Sequence, residues 1–414
     1  MLFVGRVGDR DIASELTLST GLVGLSLLAV ALVLPARIPS ISSSFGIEAV
    51  LRSHRFIAMF GTLLIAAHLL LVVVSDPRGL GILDPRRATP PVWAALASTI
   101  ALALLVVLAL RRRRRQPRYE GWRLLHVALA AVVLVTAGLH IWFLRNLVEH
   151  PLMRAWFLLL AVLVLVVLTR RWVWRPLRAH ARTYLVEEVR PVSGNAVSVT
   201  VRAHGHAGLP FRAGQFAWLK IGASPFVFEE HPFTIASTAE QPQRKEFTIK
   251  ALGDFSELLS GLRPGRRVYL DGPYGSFTTD GCRSAGYVLI AGGVGITPML
   301  SILRTLADRG DTGRHHLFVG GRTVDDLIAR AGIEDLRERL DLRVTEVLEQ
   351  PADGWAGETG WIDSALLDRH LPRGARRLDY FLCGPPPMVV AVGRMLRERR
   401  VAARLIHTEQ FEVV

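Results

Sequence analysis

LLHVALAAVVLVTAGLHIWFL at residues 124–144 and IEAVLRSHRFIAMFGTLLIAAHLLLVVV at residues 47–74 each carry two histidines fourteen residues apart, His126 with His140 and His54 with His68. Fourteen residues are close to four helical turns, so each pair falls within about 40° of one face, separated by about 21 Å of rise. That is most of the roughly 30 Å of hydrocarbon in a bilayer. An ionisable ring inside an apolar helix is costly and usually functional, and imidazole is the commonest metal-ligating side chain. Two helices with this spacing, running the same way, would offer two stacked bis-histidine cages, each suited to a haem. One such histidine alone reads equally well as a hydrogen-bonded packing residue; four in matching positions point to metal.

Outward from these stretches, apolar runs at 16–34, 56–74, 91–110, 124–144 and 155–169 approach the roughly 20 residues of a membrane-crossing helix, the fifth if 151–154 contribute. The first run has neither the positive leader nor the cleavage site of a removed signal peptide. Segments 35–55, 111–123 and 170–182 hold fifteen Arg and Lys, against seven in 1–15, 75–90 and 145–154. Cytoplasmic loops carry the excess, which predicts an outside N-terminus and a cytoplasmic C-terminal half in a bacterial-type cytoplasmic membrane. Spans two and four then both start inside, pairing His54 with His126 and His68 with His140 by depth, as bundle cofactor sites are built from facing helices. Arg52 and Arg55 beside His54 suit either haem propionates or plain anchoring. The net charge of +14 comes with only three lysines and no basic groove interleaved with aromatics, which argues against nucleic acid as a partner. Cys282 and Cys383 are the only cysteines, so no disulfide framework is indicated.

Beyond residue 182 the composition turns mixed. Alternation on either side of Ser193-Gly194-Asn195 reads as a hairpin, and short strands at 214–221, 247–251 and 267–270 suggest a small antiparallel barrel. This region contains His231-Pro232-Phe233-Thr234-Ile235-Ala236-Ser237, Lys250-Ala251-Leu252-Gly253-Asp254-Phe255-Ser256 and Gly272-Pro273-Tyr274-Gly275. From 287 the pattern becomes strand (287–291), glycine loop (Gly292-Gly293-Val294-Gly295-Ile296-Thr297-Pro298) and helix (299–307). Glycines let a backbone approach a pyrophosphate, and a helix start offers unpaired N–H groups. Strands at 316–320, 342–348 and 380–383 between helical stretches predict an open, largely parallel sheet.

On these motifs, residues 182–414 resemble the ferredoxin–NADP reductase superfamily, and with the histidine helices in front the whole chain is similar to prokaryotic NADPH oxidases and ferric-reductase-like transmembrane proteins. The resemblance implies a transmembrane di-haem domain over 1–180, an FAD barrel over 181–283 and a nicotinamide domain over 284–414. It places Phe233 against the flavin ring and Thr234 at its redox-active edge, with His231, Pro232 and Ser237 around the cofactor and Lys250, Gly253 and Ser256 on its pyrophosphate. It places Gly292, Gly293, Gly295, Thr297 and Pro298 on the nicotinamide coenzyme's pyrophosphate, with Cys383, Gly384 and Pro385 near its reacting carbon. Glu409 and Phe411 match the acidic and aromatic tail positions, although Glu412, Val413 and Val414 follow the aromatic here. Arg322 and Thr323 stand where NADPH-preferring relatives hold the 2′-phosphate, and NADPH is expected over NADH. Relatives commonly have one further helix ahead of the first span.

Together these readings predict electron transfer from NADPH through FAD and two haems to an external acceptor, either dioxygen or a ferric chelate. Two rivals remain at this point: a nucleotide-binding membrane sensor or transporter, and a membrane-tethered reductase for a cytosolic partner. Oligomeric state is not legible in the sequence.

Overall fold

A computed structural model of the chain describes residues 12–38, 46–75, 88–115, 119–144, 149–192, 196–250, 259, 261–372 and 374–410. The chain divides into two compact units, Met1–Trp174 and Arg175–Val414.

The first unit is helical: α1 (Ile12–Val33), α2 (Ile47–Ser75), α3 (Pro90–Arg115), α4 (Tyr119–Leu144) and α5 (Pro151–Thr169). All five are long and apolar enough to cross a membrane. The fifth reaches that length because its helix begins at Pro151, whose missing N–H costs nothing in a first turn, and because helical backbone continues to His180. α3 runs past its apolar stretch to Arg115. Large apolar side chains face outward, among them Phe56, Leu63, Leu70, Val135 and Leu158, each more than 60% exposed. In water such a surface would be an aggregation liability, whereas lipid solvates it. α1 packs along α2 and α3 along α4, but the two histidine helices, α2 and α4, are not closely packed on each other.

The second unit opens with a short helix, α6 (Arg175–His180), and a six-stranded antiparallel sheet of β1 (Thr183–Pro191), β2 (Ala196–Ala203), β3 (Phe216–Ile221), β4 (His231–Thr234), β5 (Arg244–Lys250) and β6 (Arg267–Tyr274). Its order is β4-β3-β6-β1-β2-β5. The edges meet where Ala236 N donates to Glu246 O at 2.7 Å, which curls the sheet into a barrel around Tyr184, Val199, Leu219, Phe247 and Val268. The hairpin β1–β2 is present, and its turn, Ser193-Gly194-Asn195, lies outside the described residues.

A second sheet follows, with β7 (Tyr287–Gly292), α7 (Ile296–Asp308), β8 (Arg314–Gly321), α8 (Arg330–Arg339), β9 (Asp341–Leu348), β10 (Glu358–Thr359), α9 (Ser364–His370), β11 (Asp379–Gly384), α10 (Pro386–Glu398) and β12 (Ile406–Gln410). All its pairings are parallel, in the order β10-β9-β8-β7-β11-β12. β7 and β11 are buried along their whole length, as central parallel strands must be. From β7 the chain winds outward through β8 and β9, then returns to β11 on the other side of β7. The switch point therefore lies between the carboxyl ends of β7 and β11, where open parallel sheets bind ligands.

Candidate functional site

In the helical unit all four histidines are half-buried. His54 Nδ1 lies 2.8 Å from Ala31 O, His68 Nδ1 2.8 Å from Thr17 O, and His140 Nδ1 2.8 Å from Pro91 O. A carbonyl can only accept, so in each ring Nδ1 carries the proton and donates it. That fixes the tautomer with Nε2 as the available lone pair, the arrangement metal-ligating histidines adopt. Gly21 makes the room on α1: a Cβ there would sit 2.8 Å from His68 Nδ1.

The ring centroids of His54 and His126 are 6.3 Å apart. A metal ion held between two imidazole nitrogens, each at about 2 Å, would put the centroids roughly 6 Å apart, so the spacing of this pair fits shared ligation of one metal ion. His140 and His68 lie within electrostatic range of one another. The loose approach of α2 to α4 is what a planar macrocycle between facing helices requires.

In the second unit, the carboxyl ends of β7 and β11 bring together Gly292 and Cys383, with Ala291 opposite Cys383 and Cys383 opposite Glu409 in the strand registers. Gly295 is needed here because a Cβ would run into the Cys383 carbonyl and lie 2.9 Å from Gly384 N. The two loops, Gly292 to Pro298 and Cys383 to Pro385, are thus in backbone contact, and α7 starts at Ile296 with its N-terminal amides at the crevice. Thr297 is buried and its hydroxyl donates to Val294 O at 2.9 Å, so this side chain braces the loop. Cys383 is fully buried at the crevice floor.

In the barrel, His231 to Thr234 form the edge strand β4, with Phe216 opposite Thr234 and Ala217 opposite Phe233. Phe233 packs against the barrel core, and the His231 and Phe233 rings are 6.4 Å apart. Gly275, in the turn after β6, faces Glu409: a Cβ there would be 3.8 Å from Glu409 Oε1. Pro232 lies between His231 and Phe233 on β4, and Ser237, beyond the strand, accepts from Ser301 of α7. Ser301 Oγ on α7 donates to Ser237 O at 3.0 Å and receives Gly214 N at 3.1 Å, while Arg304 bonds both Ala236 O and Glu246. Gly253, Ser256 and Phe411 lie outside the described residues.

Lys250, at the end of β5, forms an ion pair of 2.8 Å with Asp326 beyond β8. The Lys250 ammonium, ahead of the Thr323 and Arg322 amides, holds the Asp326 carboxyl below the usual carboxylate range. The same carboxylate accepts Arg322 N at 3.2 Å and Thr323 N at 3.3 Å, and the Arg322 side chain is exposed. Sequence reading singled out Lys250, Arg322 and Thr323 separately but missed Asp326, which joins them. It also missed Ser301 and Arg304, the polar stripe of α7 that seats the barrel. An amphipathic helix with hydroxyl and arginine side chains in its buried face is the signal that marks them.

Fold and site together define a flavin- and pyridine-nucleotide-dependent oxidoreductase module carried on membrane-spanning helices. Residues 20–137 match the family described as ferric reductase like transmembrane component, 182–278 an FAD-binding domain, and 289–394 an oxidoreductase NAD-binding domain. The chain thus joins a ferric-reductase-like transmembrane component to FAD-binding and NAD-binding domains, with a ferredoxin-reductase-like C-terminal half. Over 235 residues, 55% of this chain, it is 33% identical to the reductase component of propane 2-monooxygenase from Rhodococcus jostii, covering 62% of that protein. Over 163 residues, 38% of the chain, it is 34% identical to NADH-cytochrome b5 reductase 1 of Pyricularia oryzae, covering 53% of it. The chain therefore spans less than two thirds of either relative. A crystal structure of flavohemoglobin from Malassezia yamatoensis aligns over 97% of this chain and 98% of that one, with a TM-score of 0.52 at 18% identity, a likeness of fold alone.

Proposed function

We propose that this chain is a transmembrane oxidoreductase that takes electrons from NADPH in the cytoplasm and delivers them to an acceptor on the other side of the bilayer, with dioxygen as the first candidate. The observation that carries this reading is the set of histidines whose Nδ1 protons are committed to main-chain carbonyls, with His54 and His126 spaced for one metal ion. His54 with His126 and His68 with His140 would each hold a haem; functional boundaries near residues 180 and 283 would separate these helices from the FAD and coenzyme regions. When bound, FAD converts a two-electron donor into single electrons and the haems carry them singly.

The chain's own residues do the positioning. Gly292 to Pro298 and the start of α7 would receive the coenzyme's pyrophosphate, since Gly295 packs directly on the Cys383 backbone and a helix N-terminus carries a partial positive charge. Cys383 and Gly384, with Pro385 opening α10, form the floor under the nicotinamide, and Glu409 stands beside them. Thr234, His231, Pro232, Phe233, Ser237 and Lys250 would line the flavin side, with Gly253 and Ser256, outside the described residues, assigned to its pyrophosphate by resemblance alone. Phe411 follows Glu409 in sequence and would cover the flavin ring. Arg322 and Thr323 favour NADPH, because a guanidinium fork suits a 2′-phosphate. The relative named as an NADH enzyme makes NADH the competing donor.

A ferric chelate is the second reading for the acceptor, favoured by the family description of the helices. Haem-replete expression followed by purification tests the proposal: a bis-imidazole haem spectrum that NADPH reduces is expected, and protein without haem absorption overturns it. Oxygen uptake and superoxide formation, with and without ferric citrate, assign the acceptor.

A further inference from the structure

At the opposite end of the parallel sheet from the coenzyme crevice, three side chains from three separate elements converge. Asp379 opens β11, four residues and about 13 Å from Cys383. His407 lies in the terminal strand β12, and Cys282 in the connection between β6 and β7. Cys282 Sγ is 3.7 Å from His407 Nε2, and the same nitrogen is 2.8 Å from Asp379 Oδ1. The three candidate ligand atoms all lie within 4.8 Å of one another.

Both contacts use one imidazole nitrogen. A proton relay would place the acid on one ring nitrogen and the thiol on the other, so this is a convergence on a point and not a catalytic triad. A tetrahedral zinc ion, with bonds of about 2.3 Å to sulfur and about 2.0 Å to nitrogen and oxygen, spaces its ligand atoms roughly 3.3–3.6 Å apart. The distances of 2.8 and 3.7 Å bracket that range, so small rotations of the side chains suffice.

The surroundings hold the donors in place. The Ser284 hydroxyl lies 2.7 Å from Asp379 Oδ2, leaving Oδ1 to the cluster. The Phe381 ring stacks on His407 at 4.6 Å and 19°, fixing the imidazole plane. Such outer contacts orient ligands at metal sites. Asp379 is only 4% exposed, while Cys282 and His407 are partly exposed, so a cation can enter from solvent. An Asp–His hydrogen bond ties β11 to β12, and the Cys282 thiol reaches both the same nitrogen and the Asp379 carboxylate. A thiolate, an imidazole and a carboxylate form the mixed donor set that suits a borderline-soft divalent cation.

We propose that Cys282, Asp379 and His407 bind one zinc ion, with the fourth position open to water. Binding exchanges the thiol proton, released to solvent, for a zinc–sulfur bond. The ion clasps the connection leaving the barrel to the terminal strand that carries Glu409, away from the coenzyme crevice.

The test uses the full-length protein in detergent, treated with chelator and then dialysed against micromolar zinc. Elemental analysis is expected to return one zinc per chain beyond the treated level, and zinc-edge X-ray absorption a sulfur atom among nitrogen and oxygen neighbours. Cys383 is the only other cysteine and is fully buried, so that sulfur reports Cys282. Cys282→Ser and His407→Gln should each weaken zinc binding at least about ten-fold while FAD content stays unchanged. A zinc shell of nitrogen and oxygen alone in the wild-type protein, or undiminished binding in Cys282→Ser, overturns the proposal. Should either variant fail to fold, the wild-type sulfur shell still decides.

Discussion

The histidine helices and the coenzyme crevice build their sites in opposite ways. On α2 and α4 each pair of site residues sits along a single element, so helical periodicity alone brings them to one face. At the crevice, Gly292, Cys383 and Glu409 come from the ends of three strands that only the sheet order makes neighbours. A site along one element depends on individual side chains and their hydrogen bonds. A site across elements depends on backbones pressing together, so its weak points are glycines and buried packing.

That contrast can be broken most sharply at His140. His140→Leu removes one ring from α4 without disturbing the second unit, and reduction of an external acceptor should fall by roughly a hundred-fold or more. NAD(P)H oxidation by the detergent-solubilised protein with a water-soluble dye should persist; equal loss of both activities would contradict the division of labour. Next in size is Gly295→Ala. The new methyl group meets the Cys383 carbonyl, and about 3 kcal/mol of stability should be lost, read from denaturant melts that follow flavin fluorescence. A melt unchanged from wild type would mean the loops yield easily.

Arg322→Ala tests specificity and leaves packing alone. Its side chain is exposed, and the Michaelis constant for NADPH should rise about ten-fold, some 1.4 kcal/mol, with that for NADH nearly unchanged. A clear wild-type preference for NADH would remove the basis of this expectation. A pH-dependent effect is expected at Lys245, fully buried in the barrel, where Nζ donates to Leu209 O at 2.7 Å and lies over the Phe211 ring. Burial pushes its pKa down to about 7. An unfolded lysine titrates near 10.4, so between about pH 7 and pH 10 the unfolded chain binds more protons and stability rises with pH. Below about pH 7 both states are protonated and the burial penalty is constant. Lys245→Met should flatten that slope, by about 2 kcal/mol between pH 7 and pH 9 in denaturant titrations.

The helices, the barrel and the parallel sheet were legible because each is written in local pattern: apolar runs, alternation between turns, and strands interleaved with helices. The edge strand β4 was hidden inside a motif read as a cofactor turn, and β12 was hidden because Ile406-His407-Thr408-Glu409-Gln410 is too polar to read as a strand without its neighbour β11. Pair contacts such as Lys250 with Asp326 leave no trace in sequence spacing, since Lys250 ends β5 of the barrel and Asp326 lies in the turn after β8, 76 residues later. The same holds for the cluster of Cys282, Asp379 and His407, which exists only once β11 and β12 are aligned.

The carbonyls that receive the α2 imidazole protons carry a consequence of their own. Thr17 and Ala31 stand on α1 at the same interval that separates His68 from His54, so the first helix is a matched rail running antiparallel to its neighbour. Sliding that rail by one residue would swing both acceptors about 100° round its axis and free both rings at once. With no water in the hydrocarbon to compensate, the two bonds stand or fall together. A helix with no histidine of its own among the four thereby sets the aim of two imidazoles.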